Sequence, residues 1–197
     1  MLIFMYMFVG LYHLLLYAKR PKEKYNLFFG GFSVLISIYN YTRSNAVFEW
    51  GVDPFKVIVR TEYIVLFYIP AFSILFFENF FFEKKFSIFS KIYLTFVSIL
   101  ALLMLFVPRC VTSKILLTWQ LSALAVLAYL GYVMTKAIRS KNKDAFRLLI
   151  GFMILVVTAL WDLLGAIPVG GLRNLGLMRY GFFMFIMGIA VVLANKF

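Results

Sequence analysis

The stretch FVGLYHLLLYAKRPKEKYNLFFG, Phe8 to Gly30, decides what kind of molecule this is. An apolar run carrying the chain's single histidine, His13, stops at a knot of charge from Lys19 to Lys24. It then restarts as a second apolar run with a glycine pair, Gly30 and Gly31. The same apolar, basic, apolar rhythm continues to Phe197. A chain built this way uses lipid as the solvent for most of its residues.

Composition points the same way. Of 197 residues, 64% are hydrophobic and 20% aromatic, and mean hydropathy is +0.94. Soluble domains are about 45–50% apolar. A core of this size could not hide 24 Phe and 12 Tyr from water. The net charge of +12 would suggest nucleic acid in a soluble protein. Here the Lys and Arg lie between apolar runs, so topology and anionic headgroups account for them and no nucleic-acid partner is expected. Cys110 is the only cysteine and forms no internal disulfide. No basic residue precedes the first run and no small-x-small site follows it, so no removable signal peptide is expected.

Crossing a hydrocarbon core of about 30 Å takes roughly 17–25 helical residues. Seven segments of that order are present: 1–18, 25–41, 57–82, 88–107, 114–138, 146–167 and 178–197. The expected fold is an all-α integral membrane protein, a single seven-helix bundle. A β-barrel would need alternating strands of about ten residues, which these continuous runs do not supply. Pro21, Pro54, Pro108 and Pro168 with Gly170 and Gly171 mark breaks. Pro70 falls inside the third span and is expected to distort Tyr68 to Ser73.

The basic residues set the orientation. Lys19, Arg20, Lys22, Lys24, Lys84, Lys85, Lys91, Lys136, Arg139, Lys141, Lys143, Arg147 and Lys196 share one side, 13 in all, against 7 on the other. The positive-inside rule then places the N-terminus outside and the C-terminus in the cytoplasm.

Small and polar residues recur on one face of several spans. Tyr6, Gly10, His13 and Tyr17 form one such stripe; Asn26, Gly30, Ser33, Ser37 and Asn40 form another. Gly151, Leu155, Thr158, Asp162 and Gly165 mark span six, and Gly181, Phe185, Gly188, Val192 and Asn195 mark span seven. In lipid, helices associate through small residues and inter-helical hydrogen bonds, so these faces should look into the bundle. His13 has no second histidine to share a metal with. It reads as packing plus one hydrogen bond. No metal and no cofactor is expected.

The outer half holds the candidate ligand site: Arg60, Glu62, Trp119, Gln120, Asp162 and Arg179, with Arg43 nearby and Trp50, Trp119 and Trp161 as an aromatic rim. Ions within a membrane tend to pair or to line a cavity, and Asp162 is expected to pair with Arg60 or Arg179. The competing reading is a structural ion pair within an interfacial aromatic belt. Glu78 is expected to snorkel toward Lys84 or Lys85. No phosphate-cradling loop, zinc spacing or nucleophile elbow is present, and no enzymatic activity is expected. Span seven has no mid-membrane lysine to which a retinal could attach.

GLYHLLLYAKRPKEKYNLFFGGFSVLISIYNYTRS, FFENFF at the inner end of span three and the closing GFFMFIMGIAVVLANKF resemble the membrane domain of the 7TMR-DISM family. These are bacterial seven-transmembrane receptors with diverse intracellular signalling modules. The resemblance implies a sensor in the bacterial inner membrane. It would respond to an unidentified ligand outside and act on a cytoplasmic kinase, nucleotide cyclase, diguanylate cyclase or phosphatase beyond this chain. It also implies a homodimer coupled through a cytoplasmic continuation. Span seven would carry the signal, with the face of Gly181 and Gly188 as the sliding surface. The alternative is a small transporter or channel using Asp162 and the outer charges.

Overall fold

The computed structural model describes residues 2–44, 55–82, 87–141, 143–165 and 176–194. Among them are seven α-helices and no strand: α1 (Leu2–Lys19), α2 (Lys24–Thr42), α3 (Arg60–Phe82), α4 (Ile88–Phe106), α5 (Arg109–Arg139), α6 (Lys143–Gly165) and α7 (Met178–Ala194). A short π-helical segment, Phe55–Val59, leads into α3. Five helices are long and apolar enough to cross a membrane: Leu2–Lys19, Val57–Phe82, Ile88–Phe106, Val111–Arg139 and Asp144–Asp162. The apolar stretch of α7, Met178–Leu193, is shorter. In α2 the polar residues Asn26, Ser33 and Ser37 are all buried. They lower its hydropathy while facing protein rather than lipid.

Local chemistry sets the helix ends. The charged knot is a turn in which Glu23 N–H donates to the Arg20 carbonyl at 3.0 Å, returning the chain into α2. Ser87 caps α4, its hydroxyl accepting from Ser90 N–H at 3.1 Å. Pro108 forces Val107 into an extended conformation, ψ 138°, which ends α4. The chain then re-enters a helix at Arg109, five residues ahead of the start expected from hydropathy. α3 runs unbroken through Pro70, with the Ser73 hydroxyl donating to the Pro70 carbonyl at 2.7 Å. The expected distortion does not interrupt the helix.

The chain divides inside α5 into two compact units, Met1–Leu130 and Gly131–Phe197. In the first, α1 and α2 cross at glycines. A Cβ on Gly10 would lie 2.9 Å from the Gly30 carbonyl oxygen, and one on Gly30 would lie 2.9 Å from that of Gly10. The Ser37 hydroxyl donates to the Ile3 carbonyl at 2.8 Å. Aromatic rings join α2 to α3, Phe29 to Phe76 at 5.5 Å and Tyr25 to Phe80 at 5.7 Å. The Tyr68 hydroxyl donates to Ser98 on α4 at 3.1 Å. Phe4, Phe8, Ile88 and Phe106 are each more than 70% exposed, as residues facing acyl chains must be.

In the second unit α6 and α7 pack through the stripes their sequences display. A Cβ on Gly151 would lie 3.3 Å from Phe185 Cα. One on Gly181 would collide with Thr158 Oγ1. Tyr6, Gly10, His13, Asn26, Gly30 and Ser33 are buried in the same way in the first unit. Tyr17 is only half-buried, and Asn195 lies outside the described residues. Gly188 departs from the expectation: no described atom lies within 4 Å of where its Cβ would be. The structure thus separates Gly181, which is packed, from Gly188, which is open. Accordingly, Gly188→Leu should change stability by less than about 0.5 kcal/mol in detergent unfolding, the range of an unconstrained surface change.

Candidate functional site

Where α2 finishes and α3 begins, three side chains interlock. Arg43 lies 3.9 Å from Glu62, donates to the Tyr39 hydroxyl at 2.7 Å and sits 5.6 Å over the Tyr39 ring. The Arg43 side chain is more than half exposed and that of Glu62 is 20% exposed. At that length and exposure the pair contributes at most about 1 kcal/mol. It leaves a guanidinium and a carboxylate presented side by side. Arg60, two residues before Glu62 at the start of α3, is half-buried.

Trp119 does not join this cluster. It is buried against Phe67, ring centroids 5.7 Å apart. Phe67 lies seven residues beyond Arg60, about 10 Å along α3 at 1.5 Å per residue. The expected aromatic rim is therefore not formed by this residue, whose ring is taken up by helix packing. Gln120 is half-buried beside it in sequence. Trp161 is 41% exposed, and Trp50 lies outside the described residues.

Asp162 and Arg179 belong to the second unit. Asp162 accepts from Leu177 N–H at 3.1 Å and from Met178 N–H at 2.7 Å. The first amides of a helix have no partner within the helix, and its N-terminus favours negative charge. Asp162 therefore caps α7 from α6. The expectation paired it with an arginine; within its unit, both its oxygens are engaged by backbone. The Arg179 guanidinium lies 5.2 Å over the Tyr180 ring. Asp162→Ala should lower stability by about 1 kcal/mol, the usual worth of an N-cap, and Asp162→Asn by less, as read from SDS titration in mixed micelles.

Two further polar nodes tie helices together. His13 Nδ1 and Asn26 Oδ1 are 2.9 Å apart, and Asn26 Nδ2 donates to Glu23 Oε2 at 2.9 Å. A carboxylate only accepts, so Asn26 must turn its NH2 toward Glu23 and its oxygen toward His13. His13 is thus the Nδ1–H tautomer, donating to Asn26. The same Glu23 oxygen accepts from the Tyr25 hydroxyl at 3.0 Å, and Arg20 lies 3.6 Å from Oε1. The His13 ring meets Phe29 edge-on at 4.7 Å. Its expected single hydrogen bond therefore exists, and Asn26 is the partner.

The second node centres on Glu78 and corrects the expectation of snorkelling. Glu78 is 4% exposed. Its Oε1 accepts from the Ser87 hydroxyl at 2.5 Å and from the Tyr129 hydroxyl at 2.6 Å, and its Oε2 from Ser87 N–H at 3.3 Å. Lys84 and Lys85 lie outside the described residues. Where a capping box would return a Glu from the third helical residue, α4 has Ser90 there. Glu78 supplies that carboxylate from α3. The Tyr129 ring stacks on Phe89 at 4.1 Å, which fixes its hydroxyl on Glu78. The Glu in FFENFF could be flagged from sequence as an ion in an apolar run. Nothing in the spacing pointed to Tyr129, 51 residues on.

The Glu78 and Asp162 arrangements share a logic: in each helical hairpin, a carboxylate on the first helix holds the start of the second. Both nodes and both glycine contacts define how helices are registered against one another within each unit. Comparison with known proteins gives one match. The model of the family described as 7TM diverse intracellular signalling matches residues 1–196. No curated protein and no solved structure matches the chain.

Proposed function

The chain belongs to the 7TM diverse intracellular signalling family, and on that premise we propose that it converts an outer-side or in-membrane stimulus into a movement read by a cytoplasmic signalling effector. The family match over nearly the whole chain carries this reading. The bacterial inner membrane is its location, with the N-terminus outside, following the excess of Lys and Arg in the odd-numbered connections. Those cations face anionic headgroups. The effector is of kinase, nucleotide cyclase, diguanylate cyclase or phosphatase type, this bundle has no catalysis of its own, and the receptor works as a homodimer.

In that orientation Arg43, Glu62 and Arg60 lie on the outer side and form the entry point for a ligand with complementary charge. Ligand binding shifts the bundle only if it favours one of two arrangements. The α6–α7 contact, locked at Gly181 and capped by Asp162, transmits the shift to the effector. The support is geometric: α7 begins on a carboxylate of α6, so a displacement of α6 carries the start of α7 with it.

The test uses the full reading frame with its own effector, in vesicles. Glu62→Gln should move the stimulus–response midpoint while leaving unstimulated output within about twofold. Gly181→Val should abolish the response, and Gly188→Leu should retain it. A full response in Gly181→Val would sink the proposed route through α7.

A further inference from the structure

The turn between α1 and α2 gathers positive charge at the end of a lipid-facing stripe. Lys19, Arg20, Lys22 and Lys24 are all exposed, against one carboxylate, Glu23. Backbone bonds keep them close: Glu23 N–H donates to the Arg20 carbonyl at 3.0 Å and Lys24 N–H to that of Lys22 at 3.1 Å. Of the four, only Arg20 has a carboxylate partner among the described residues. On α1, Phe8, Leu11 and Leu15 are exposed on one face, and Lys19 stands one turn beyond Leu15. A molecule with an acyl chain and an anionic headgroup meets the apolar stripe and the cations together. A free anion meets only the cations.

The same turn is joined to the bundle interior by hydrogen bonds. Arg20 lies 3.6 Å from Glu23 Oε1. Glu23 Oε2 accepts from Asn26 Nδ2 at 2.9 Å, and Asn26 Oδ1 accepts from His13 Nδ1 at 2.9 Å. Asn26 and His13 are both buried. Two hydrogen bonds therefore separate the chain's single histidine from the charge on Glu23. The Arg20 side chain is 55% exposed, and an ion pair of that length and exposure is weak. A guanidinium meets a phosphate through two parallel charge-assisted bonds, a stronger contact than the one it makes here. Drawing Arg20 away leaves the Glu23 charge less neutralised. Its pull on the Asn26 amide grows, and hydrogen bonds in a buried chain polarise one another, so the His13 to Asn26 bond strengthens with it.

We propose that the α1–α2 turn is a binding site for the headgroup of an anionic phospholipid, and that its occupancy is transmitted through Glu23 and Asn26 to His13. Lys19, Lys22 and Lys24 attract the headgroup, and its phosphate takes Arg20 from Glu23. The site needs only that the chain lies in a bilayer. As an in-membrane stimulus it rests on the sensor reading above.

The experiment uses no effector, so it can fail while the sensor reading stands, and the reverse. The whole chain, free of any histidine tag and labelled with 15N-histidine, is placed in nanodiscs, where His13 gives the one imidazole N–H signal. Replacing part of the phosphatidylcholine with phosphatidylglycerol should move the Nδ1 proton downfield. Arg20→Gln should produce a downfield shift in phosphatidylcholine alone and no further response to phosphatidylglycerol. Glu23→Gln should abolish the response. The triple change Lys19→Gln, Lys22→Gln and Lys24→Gln should abolish it too, while Lys136→Gln, Arg139→Gln and Lys141→Gln together should leave it intact. All these substitutions are at the surface or keep side-chain volume, so the fold is retained. An unmoved His13 signal in phosphatidylglycerol overturns the proposal, as does equal loss in the two triple variants, which would mean general surface charge. Inorganic phosphate added to phosphatidylcholine nanodiscs should move nothing; a shift there would overturn the assignment to lipid.

Discussion

Glu78→Leu should destabilise the protein by about 3 kcal/mol and should be among the most damaging single substitutions in the bundle. The side chains are similar in volume, so the loss is of hydrogen bonding rather than of packing. Removing the carboxylate strands the Tyr129 hydroxyl, the Ser87 hydroxyl and the Ser87 amide together. A buried group left without its partner costs about 1–3 kcal/mol. The three costs do not add in full, because the Ser87 hydroxyl, 3.2 Å from Ser90 Oγ, has another partner to turn to. Glu78→Gln keeps one acceptor oxygen and the volume, and should lose roughly half as much. Tyr129→Phe removes one hydrogen bond to a charged group, worth about 1.5–3 kcal/mol. SDS titration of the purified protein in mixed micelles, followed by far-UV circular dichroism, gives the order Leu, then Gln. Equal stability of Glu78→Leu and wild type would show that the node does not hold these helices.

The second large effect is expected where α1 crosses α2. Gly30→Val should cost about 3 kcal/mol, at the upper end of overpacking penalties. The reason lies in what the new atoms would meet. The first is the Gly10 carbonyl oxygen at 2.9 Å, part of a helix backbone that cannot rotate aside. The second is the Leu14 side chain at 2.8 Å, which can. Separating the helices to make room would also pull His13 from Asn26 and Ser37 from the Ile3 carbonyl, since all three contacts lie along the same crossing. Lipid offers no hydrophobic compensation, because acyl chains are as apolar as the residues they would touch. Gly31→Ala is the informative control. Its added carbon would meet the Phe72 ring, the far part of a side chain, so the loss should be smaller. If both variants unfold at the same SDS fraction, backbone contact is not what makes Gly30 necessary.

The sequence by itself determined the helices and which way most of them face. Apolar length between basic knots marks a span whatever its neighbours are, because backbone groups in lipid must be satisfied within the segment. The stripe of Tyr6, Gly10 and His13, and the facing one of Asn26, Gly30 and Ser33, were legible for a related reason: a small or polar residue on lipid gains nothing, so a run of them at helical spacing marks a protein-facing side. What tertiary structure alone decided is which polar group meets which. Glu78 and Asp162 read in sequence as ions seeking cations. Among the described residues, the donors they meet are hydroxyls and the exposed amides at the start of the following helix, and a short carboxylate side chain is satisfied by what lies within about 3 Å of it. Gly181 and Gly188 are alike in sequence, two turns apart on one face. Only the course of α6 past α7 makes the first a contact and leaves the second open. Helical period is a property of one chain segment, whereas partnership depends on the distance between two, and that distance is set by every side chain packed between them.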